Sequence, residues 1–550
     1  MADKKEIIKL LSSMANLMEF NGENKFKVSA YRNGANVLRR LEDDLDELIR
    51  TKSLGNIKGI GKGLQSVIYE YAETGKSTEY ENLLASVPDG IEELFLVRGI
   101  GVKKIKVLYD ELGITNIGEL EYACKENRLK LLPGFGQTTQ DKILAEIEKL
   151  KIYSKYVLLN HAEKFYNEIS GLLSEIKTIR KHEVTGELRR CLEVISSIKI
   201  VALCNDVTAL KSELKNKIKI NGSDDKIIIQ ADFPVPVYLF PVLSEEEYAS
   251  RLFETTGSEQ FLKKLNYNPE RNKGSNEGEI FKSLNVSFII PEMREEEFFS
   301  VKNKKLEENS TLSFEQFKGM LHFHTTNSDG RDTLEKMILK AKELNFEYAA
   351  VCDHSKSAFY ANGLTEERVL KQKEEIAKVS GKTNFTIFHG IESDILKNGN
   401  LDYDDKFLSN FDFIVASVHS IFNLEEKEMT RRIIKAVENP HTNLLGHPTG
   451  RLLLSREPYK VDMKKIIEAC AANNTAIEIN ANPRRLDLDW RLIYYAREKG
   501  CLFSINPDAH STEDILYTKY GIMVARKAGL QPEEVINCFD EQAFIKFLNK

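Results

Sequence analysis

A pair of histidines two positions apart, His322 and His324, is the feature of this sequence best suited to chemistry. The run 318–330 around them is typical of a short strand followed by a polar turn, and the turn carries Asp329. Alternate residues of a strand point to one side, so both imidazoles could bind one metal ion, and the Asp329 carboxylate could fold back to it. A histidine pair on a solvated strand is the alternative, and the motif alone leaves both interpretations open.

Candidate ligands recur through the C-terminal half, where apolar runs of strand length end in residues that can coordinate a metal. These residues are His354, Glu392, His419, His447, Asp508 and His510. Amphipathic patterns of helix length separate the runs, for example at 334–344, 366–379 and 463–473. A strand, a ligand and a helix in repetition predict a parallel α/β barrel with its functional groups at the C-terminal ends of the strands.

The motifs of this half resemble those of the PHP (polymerase and histidinol phosphatase) domain, from Met320 to the C-terminal residues. Met320 stands where the family often has an aspartate, and we expect only an indirect effect on the ligands from this difference. The resemblance implies a distorted (β/α)7 barrel with metal-dependent phosphoesterase activity and up to three divalent ions. The residues implied as metal ligands and catalytic residues are His322, His324, Asp329, His354, Glu392, His419, His447, Asp508 and His510.

The ligand types indicate which ions and substrates the barrel takes. Mixed imidazole and carboxylate ligands suit manganese or zinc, with iron and magnesium as alternatives. Arg451, Arg485 and Lys356 follow barrel strands and are candidate clamps for a substrate phosphate. A surface ion pair is the alternative for Lys356.

Three short glycine turns, each with an apolar residue between two glycines, distinguish the N-terminal part. They are Gly59-Ile60-Gly61, Gly99-Ile100-Gly101 and Gly134-Phe135-Gly136, and each lies between two helical patterns. This arrangement is typical of helix-hairpin-helix motifs, whose glycines let the backbone approach a nucleic-acid phosphate that the amides of the next helix bind. Such binding is independent of base sequence. A purely structural hairpin, in a plain helical bundle, is the alternative for each turn taken alone.

The order of these regions resembles that of bacterial family-X DNA polymerases that end in a PHP domain. Relatives with deoxyribose-phosphate lyase activity carry a lysine in the helix after the first Gly-x-Gly turn. The corresponding position here is Val67, which cannot form a Schiff base, and Lys62 lies nearby in a different register. We therefore predict no lyase activity.

The central part resembles the polymerase domain of that family but lacks its metal-binding aspartates. The segment 186–190, Gly-Glu-Leu-Arg-Arg, matches the frame that precedes them. The three aspartate positions hold Ser197, Lys199 and Tyr238, which cannot replace carboxylates as ligands, and an ammonium group repels a cation. We therefore expect a degenerate polymerase site. If the strands are misaligned, Asp206 or Asp232 would be the alternative ligands.

Composition limits the remaining possibilities for partners and location. The chain of 550 residues carries a formal net charge of −6, so DNA binding must come from local patches and backbone amides. Seven scattered cysteines favour a reducing cytoplasm over a disulfide framework. An amphipathic start and the absence of a long uncharged apolar run predict neither a signal segment nor a membrane anchor. We expect a cytoplasmic monomer.

The sequence therefore predicts a multidomain protein. The predicted parts are an all-α domain with the first hairpin at 1–85, tandem hairpins at 86–152, an α+β polymerase remnant at 153–295, a linker at 296–318 and the barrel at 319–550. Within the remnant, 266–279 is rich in polar residues and is predicted to be an exposed loop.

DNA-binding hairpins joined to a full ligand set favour a metal-dependent phosphoesterase that processes DNA ends in repair, acting as a 3′-to-5′ exonuclease. Three other functions remain open. They are an active family-X polymerase and exonuclease in base excision repair, a histidinol-phosphatase-like enzyme for small molecules, and a non-catalytic DNA-binding protein.

Overall fold

The computed structural model describes residues 4–39, 41, 45–300 and 309–549, and these form two compact units, 1–154 and 155–550. In its described part, all the regular secondary structure of the first unit is helical. Its helices are α1 (Lys4–Phe20), α2 (Lys25–Arg39), α3 (Leu45–Arg50), α4 (Lys62–Thr74), α5 (Thr78–Ala85), α6 (Ile91–Leu94), α7 (Val102–Leu112), α8 (Ile117–Lys125) and α9 (Gln137–Tyr153). They enclose one apolar core, so the predicted all-α region is confirmed.

The second unit begins with a mixed five-stranded sheet, ordered β2-β4-β7-β6-β5, in which only β4 and β7 pair in parallel. A short antiparallel pair, β1 with β3, lies beside it. The elements are β1 (Val157–Leu158), α10 (Leu159–Ser174), β2 (Ile179–Thr185), α11 (Gly186–Arg189), β3 (Val194–Ile195), β4 (Ile198–Cys204), α12 (Val207–Lys215), β5 (Lys219–Gly222), β6 (Ile227–Gln230), β7 (Val237–Val242), α13 (Glu245–Thr256), α14 (Glu259–Lys264) and α15 (Glu277–Ser283).

The prediction of an exposed loop at 266–279 is wrong for the last residues of this range. Glu277 is the first residue of α15, which Asn276 caps, and its buried carboxylate pairs with Arg189 at 2.8 Å and with the fully buried Arg294. A buried charge is stable only when it is paired in this way. One of the polar residues that suggested a loop, Glu277, therefore belongs to a buried network of ion pairs.

The C-terminal part is a barrel of seven parallel strands, ordered β8 to β14, and the predicted (β/α)7 architecture is confirmed. Its elements are β8 (Gly319–Phe323), α16 (Leu334–Glu343), β9 (Tyr348–Val351), α17 (Glu366–Thr383), β10 (Thr386–Asp394), α18 (Asp405–Leu408), β11 (Phe413–Ser417), α19 (Glu426–Val437), β12 (Leu444–Leu445), α20 (Met463–Ala472), β13 (Ala476–Asn480), α21 (Trp490–Glu498), β14 (Phe503–Asn506), α22 (Thr518–Lys527) and α23 (Glu541–Leu548).

The first and last strands of the barrel meet through a bridge and one buried side chain. The His324 amide donates to the Ala509 carbonyl at 2.8 Å. The buried Asn537 side chain donates to the carbonyls of Gly319, at 3.2 Å, and Ile505, at 3.1 Å. The bond between His324 and Ala509 brings the C-terminal ends of β8 and β14 together, where several candidate ligands lie.

The predicted linker, 296–318, joins the central sheet to the barrel, and its residues 301–308 lie outside the described part of the chain. Near its C-terminal end, Leu312 and Phe317 are buried in a core that the central sheet and the barrel share. None of the helices in the described residues is long and apolar enough to cross a membrane.

Candidate metal centre

His322 reaches the site through a β-bulge rather than a regular strand position. Leu321 pairs with Ala350 and Phe323 with Val351, so His322 is an extra residue in β8, and its φ of 53° is left-handed. A bulge commonly re-aims a side chain next to an active site. The two imidazoles lie together as expected, with ring centres 5.4 Å apart, but a bulge rather than simple strand alternation aligns them.

The candidate ligands form three adjoining groups at the barrel mouth. In each group, one ligand atom per residue lies within 4.8 Å of the others. The groups are His322, His324 and Asp508; His324, Asp329, His354 and His510; and His354, Glu392 and His419. His447 joins the third group, since its Nε2 lies 3.0 Å from Oε1 of Glu392. Shared members link the groups into one cluster, and the nine residues predicted as ligands all lie in it.

Buried polar atoms without hydrogen bonds show that this cluster fits metal ions. They include Nε2 of His322, Nδ1 of His324, Nδ1 of His354 and Oε2 of Glu392. The last two lie 2.9 Å apart, yet neither is aligned for a hydrogen bond with the other. Buried polar groups are normally satisfied, so orphaned atoms that converge are the donor set expected for cations.

An outer layer of carboxylates fixes the histidine rings from behind. Glu478 accepts from Nδ1 of His322 at 2.5 Å and from the His447 amide at 2.6 Å. Asp394 bonds Nδ1 of His419 at 2.6 Å. Such bonds set the tautomer and leave the other ring nitrogen free to coordinate.

The acidic members of the cluster stay ionised, whereas its histidines differ in charge. Burial alone would lower the pKa of His322, His419 and His510, but neighbouring carboxylates raise all three above the ordinary value, to about 10 for His419 and about 9 for His510. Burial opposes ionisation of Glu392 and Asp508, but the neighbouring histidines hold the pKa of both carboxyls well below the ordinary range. The pKa of His324 is lowered to about 4, first by burial and then by His510 and His354. Ionised carboxylates therefore lie beside a neutral imidazole at neutral pH.

The carboxylates behind the histidines, Glu478 and Asp394, were not among the residues predicted from the sequence. Glu478 lies between Ile477 and Ile479 in a strand that is buried throughout, and a lone acid in an apolar strand was the available signal. Asp353, which directly precedes His354, accepts from Thr325 and Gln372 and is fully buried. It therefore orders the loop after β8 rather than binding an ion.

The three candidate phosphate clamps occupy different environments. Arg485 lies beside the cluster, 3.7 Å from Asp508, and its buried Nη1 has no hydrogen-bond partner. Arg451 instead donates to the carbonyls of Arg485 and Leu486 and pairs with Asp489 at 2.5 Å. Lys356 pairs with Glu366 at 2.6 Å on the surface. The structure thus brings Arg485 to the site and places Arg451 behind it.

The three glycine turns share one backbone geometry. The first glycine of each, Gly59, Gly99 and Gly134, has a φ between 82° and 103°. The second glycine of each, Gly61, Gly101 and Gly136, precedes the first residue of α4, α7 or α9 in extended conformation. The residue between the glycines is buried, and both glycines are exposed. Each turn therefore presents bare backbone at a helix N-terminus.

The three positions of the expected polymerase aspartates lie on neighbouring strands of the central sheet. Lys199 of β4 is paired directly with Tyr238 of β7, and Ser197 immediately precedes β4. The Lys226 ammonium lies 3.8 Å from the centre of the Tyr238 ring. Among the residues that the structure describes, every group of metal-type ligands lies in the barrel. Asp206 caps α12.

Family models match both ends of the chain. A helix-hairpin-helix domain matches residues 2–77, and a PHP domain matches residues 320–482. The PHP match stops before β14, but that strand and the two candidate ligands after it complete the barrel in the structure.

The similarity to one curated protein spans both chains almost entirely. It is "DNA polymerase/3'-5' exonuclease PolX" of Bacillus subtilis, 34% identical over 99% of each chain. The barrel half is also similar to probable phosphatases. One from Caldicellulosiruptor bescii is 25% identical over 41% of this chain and 93% of the relative. Another, from Thermoanaerobacter pseudethanolicus, is 26% identical over 39% of this chain and 88% of the relative. The chain therefore belongs to the PolX family of family-X DNA polymerases, and its barrel is a PHP domain of the metal-dependent hydrolase type.

Proposed function

We propose that this protein hydrolyses DNA from the 3′ end in repair, with the PHP barrel as its catalytic site. The observation that carries this proposal is the convergence of the nine ligand residues on one largely buried cluster, in a chain that also carries three open glycine turns. Hydrolysis adds water across the bond between phosphorus and O3′. It releases a nucleotide with a 5′-phosphate and leaves a 3′-hydroxyl on the strand.

The residues at the barrel mouth have different roles in this reaction. The nine ligands would hold up to three divalent ions, manganese or zinc by ligand type, which lower the pKa of bound water and neutralise phosphate charge. Asp329 and His510, each about one-third exposed, form the solvent-facing edge that a substrate reaches first. Arg485 offers its unpaired Nη1 to a phosphate oxygen.

In this proposal, the glycine turns bind the DNA backbone. A side chain added at Gly61, Gly101 or Gly136 would meet no atom within 4 Å, so these backbone positions are open to a phosphate group. The amides that begin α4, α7 and α9 carry the positive end of the helix dipole. We infer binding that depends on salt and not on base sequence.

Nucleotidyl transfer is lost in this proposal. Burial lowers the pKa of Lys199, although Glu187 opposes the shift, and Lys226 adds a second ammonium group beside Tyr238. Arg189 and Arg190 of the preceding frame are held in ion pairs with Glu277 and Glu295. Two cations where carboxylates are needed oppose magnesium binding.

Two other functions have specific support. The name of the Bacillus subtilis relative includes DNA polymerase activity, which favours an active central domain. The probable phosphatases that resemble the barrel favour a small phosphomonoester as substrate.

One experiment separates these functions. 5′-Labelled primer–template DNA is incubated with manganese, with and without nucleotides, and products are resolved on a sequencing gel. We expect a ladder of shortened primers without nucleotides, and a loss of about 100-fold or more in His324→Ala and Asp508→Ala, because each removes a ligand. With nucleotides, His324→Ala should give no extension.

His441→Ala is the matched control, because this histidine lies outside the cluster, and it should cleave like the parent. Undiminished cleavage in both ligand variants would exclude the barrel site. Primer extension by His324→Ala would show that the central domain is an active polymerase. Phosphate release from p-nitrophenyl phosphate that exceeds DNA cleavage would favour the phosphatase.

A further inference from the structure

Two adjacent aromatic side chains stand in solvent at the barrel mouth. Phe359 is 89% exposed and Tyr360 is 63% exposed, in a short 3-10 helix after β9. Aromatic rings carry a large apolar surface, and leaving two neighbours uncovered loses the free energy of burying them. Such an exposed pair beside an active site indicates a surface for a ligand.

The loop that presents these rings is fixed at both ends. The Leu364 amide donates to the His354 carbonyl at 2.8 Å, which closes the loop on itself. The Ser357 amide donates to Asp402 at 2.6 Å, and the Tyr403 hydroxyl donates to the Leu364 carbonyl at 2.6 Å. A side chain at Gly363 would lie 2.0 Å from a backbone oxygen, so the loop is also tightly packed. The backbone that carries the two rings is therefore held in place before any ligand arrives.

Tyr360 lies directly beside the metal cluster. Its ring centre is 6.2 Å from that of His354 and 6.4 Å from that of His419. A phosphodiester at the cluster therefore places the group that lies one sugar away close to Tyr360, and Phe359 is its neighbour in the same short helix. In a nucleic acid that group is a base.

We propose that Phe359 and Tyr360 form a stacking platform for the base of the terminal nucleotide. This inference rests on the proposed hydrolysis of DNA and specifies its substrate as a base-bearing strand end. Stacking on aromatic rings accepts every base because each has a π face. The platform would therefore select nucleotides over phosphorylated metabolites without selecting sequence.

A comparison of two DNA substrates tests the platform. Both are 5′-labelled and identical except at the 3′ end, where one carries thymidine and the other an abasic tetrahydrofuran unit. Removal of the terminal unit is measured with manganese. The parent should have a KM for the thymidine end about tenfold or more below that for the abasic end. In Phe359→Ala/Tyr360→Ala the two KM values should become equal, because only the base-bearing substrate loses a contact.

Two controls distinguish stacking from a structural role. Tyr360→Phe keeps the ring and should keep the preference, and Leu339→Ala removes a side chain that is 51% exposed on α16 and should behave like the parent. A double variant that retains the parent's preference, or that slows on both substrates equally, would overturn the proposal.

A second measurement does not depend on hydrolysis. In a His324→Ala background, the fluorescence of a 3′-terminal 2-aminopurine should be quenched on binding, and the double alanine substitution should abolish this quenching. Equal quenching with and without the aromatic pair would also overturn the platform. Failure of the parent to hydrolyse either DNA would instead contradict the proposed function, while the quenching would still decide the stacking.

Discussion

At the scale of single residues, Glu478 controls the site without needing to touch a metal. It accepts hydrogen bonds from His322, His447 and Asn506 and is fully buried. Three of the nine candidate ligands, His322, His447 and Asp508, have positive φ, a conformation that costs free energy and persists only under such external support. In Glu478→Gln an amide group would face these donors. We expect metal affinity to fall about 10–100-fold, measured as metal content after dialysis against defined manganese.

Glu468→Gln is the control for this substitution, since Glu468 pairs with Lys499 on the surface. Its metal content should match that of the parent. A Glu478→Gln protein that retains the parent's metal content would show that the outer layer is not needed to hold the ligands.

At the scale of elements, the glycine turns allow DNA binding to be separated from folding. Gly61 and Gly101 have negative φ and open space where a side chain would extend, so valine fits there without backbone strain. In Gly61→Val/Gly101→Val we expect an unchanged melting temperature and about tenfold weaker binding of any DNA sequence, because the added methyl groups separate amide from phosphate. Fluorescence anisotropy at several salt concentrations measures this.

Gly171→Val is the control, because Gly171 lies in α10 with equally open surroundings. It should bind DNA like the parent. If the double valine variant also bound like the parent while remaining folded, the turns would be structural hairpins only.

At the scale of the whole molecule, a buried ion pair joins the central sheet region to the barrel. Lys527 of α22 is fully buried and donates to Glu295 at 2.8 Å and to the Arg190 carbonyl at 3.0 Å. Burial opposes the ionisation of Glu295, but Lys527 and Arg190 lower its pKa below the ordinary value of 4.5. A lowered carboxyl pKa stabilises the fold above the unfolded pKa, and this contribution is lost as pH falls through the folded value.

We therefore expect the free energy of unfolding of the 155–550 unit to decrease below about pH 4.5, more steeply in the parent than in Glu295→Gln. At pH 7 the variant should be less stable by about 3–5 kcal/mol, because it leaves the Lys527 charge buried without its partner. Urea unfolding at a series of pH values measures both. Glu295→Gln/Lys527→Met should recover part of the loss, and a single variant as stable as the parent at pH 7 would contradict this account.

The barrel and its candidate ligands could be predicted from the order of residues along the chain. Strands buried on both faces give continuous apolar runs, and a parallel barrel places the residue after each run at one mouth. The order of residues therefore already located His354, His419 and His447 on a common face. The same local logic identified the glycine turns, because a positive φ and a bare helix N-terminus are properties of a few consecutive residues.

The charges that support the site, and those that join the central sheet to the barrel, become evident only in the folded chain. Glu478 and Glu277 have no neighbour in sequence that reveals their partners, since those partners lie 156 residues away at His322 and 88 residues away at Arg189. The bulge at His322 depends on pairing with β9, and the exposure of Phe359 and Tyr360 depends on how their loop closes. Hydrophobic periodicity records burial along one element, whereas buried ion pairs and exposed rings depend on contacts between elements that local sequence does not specify.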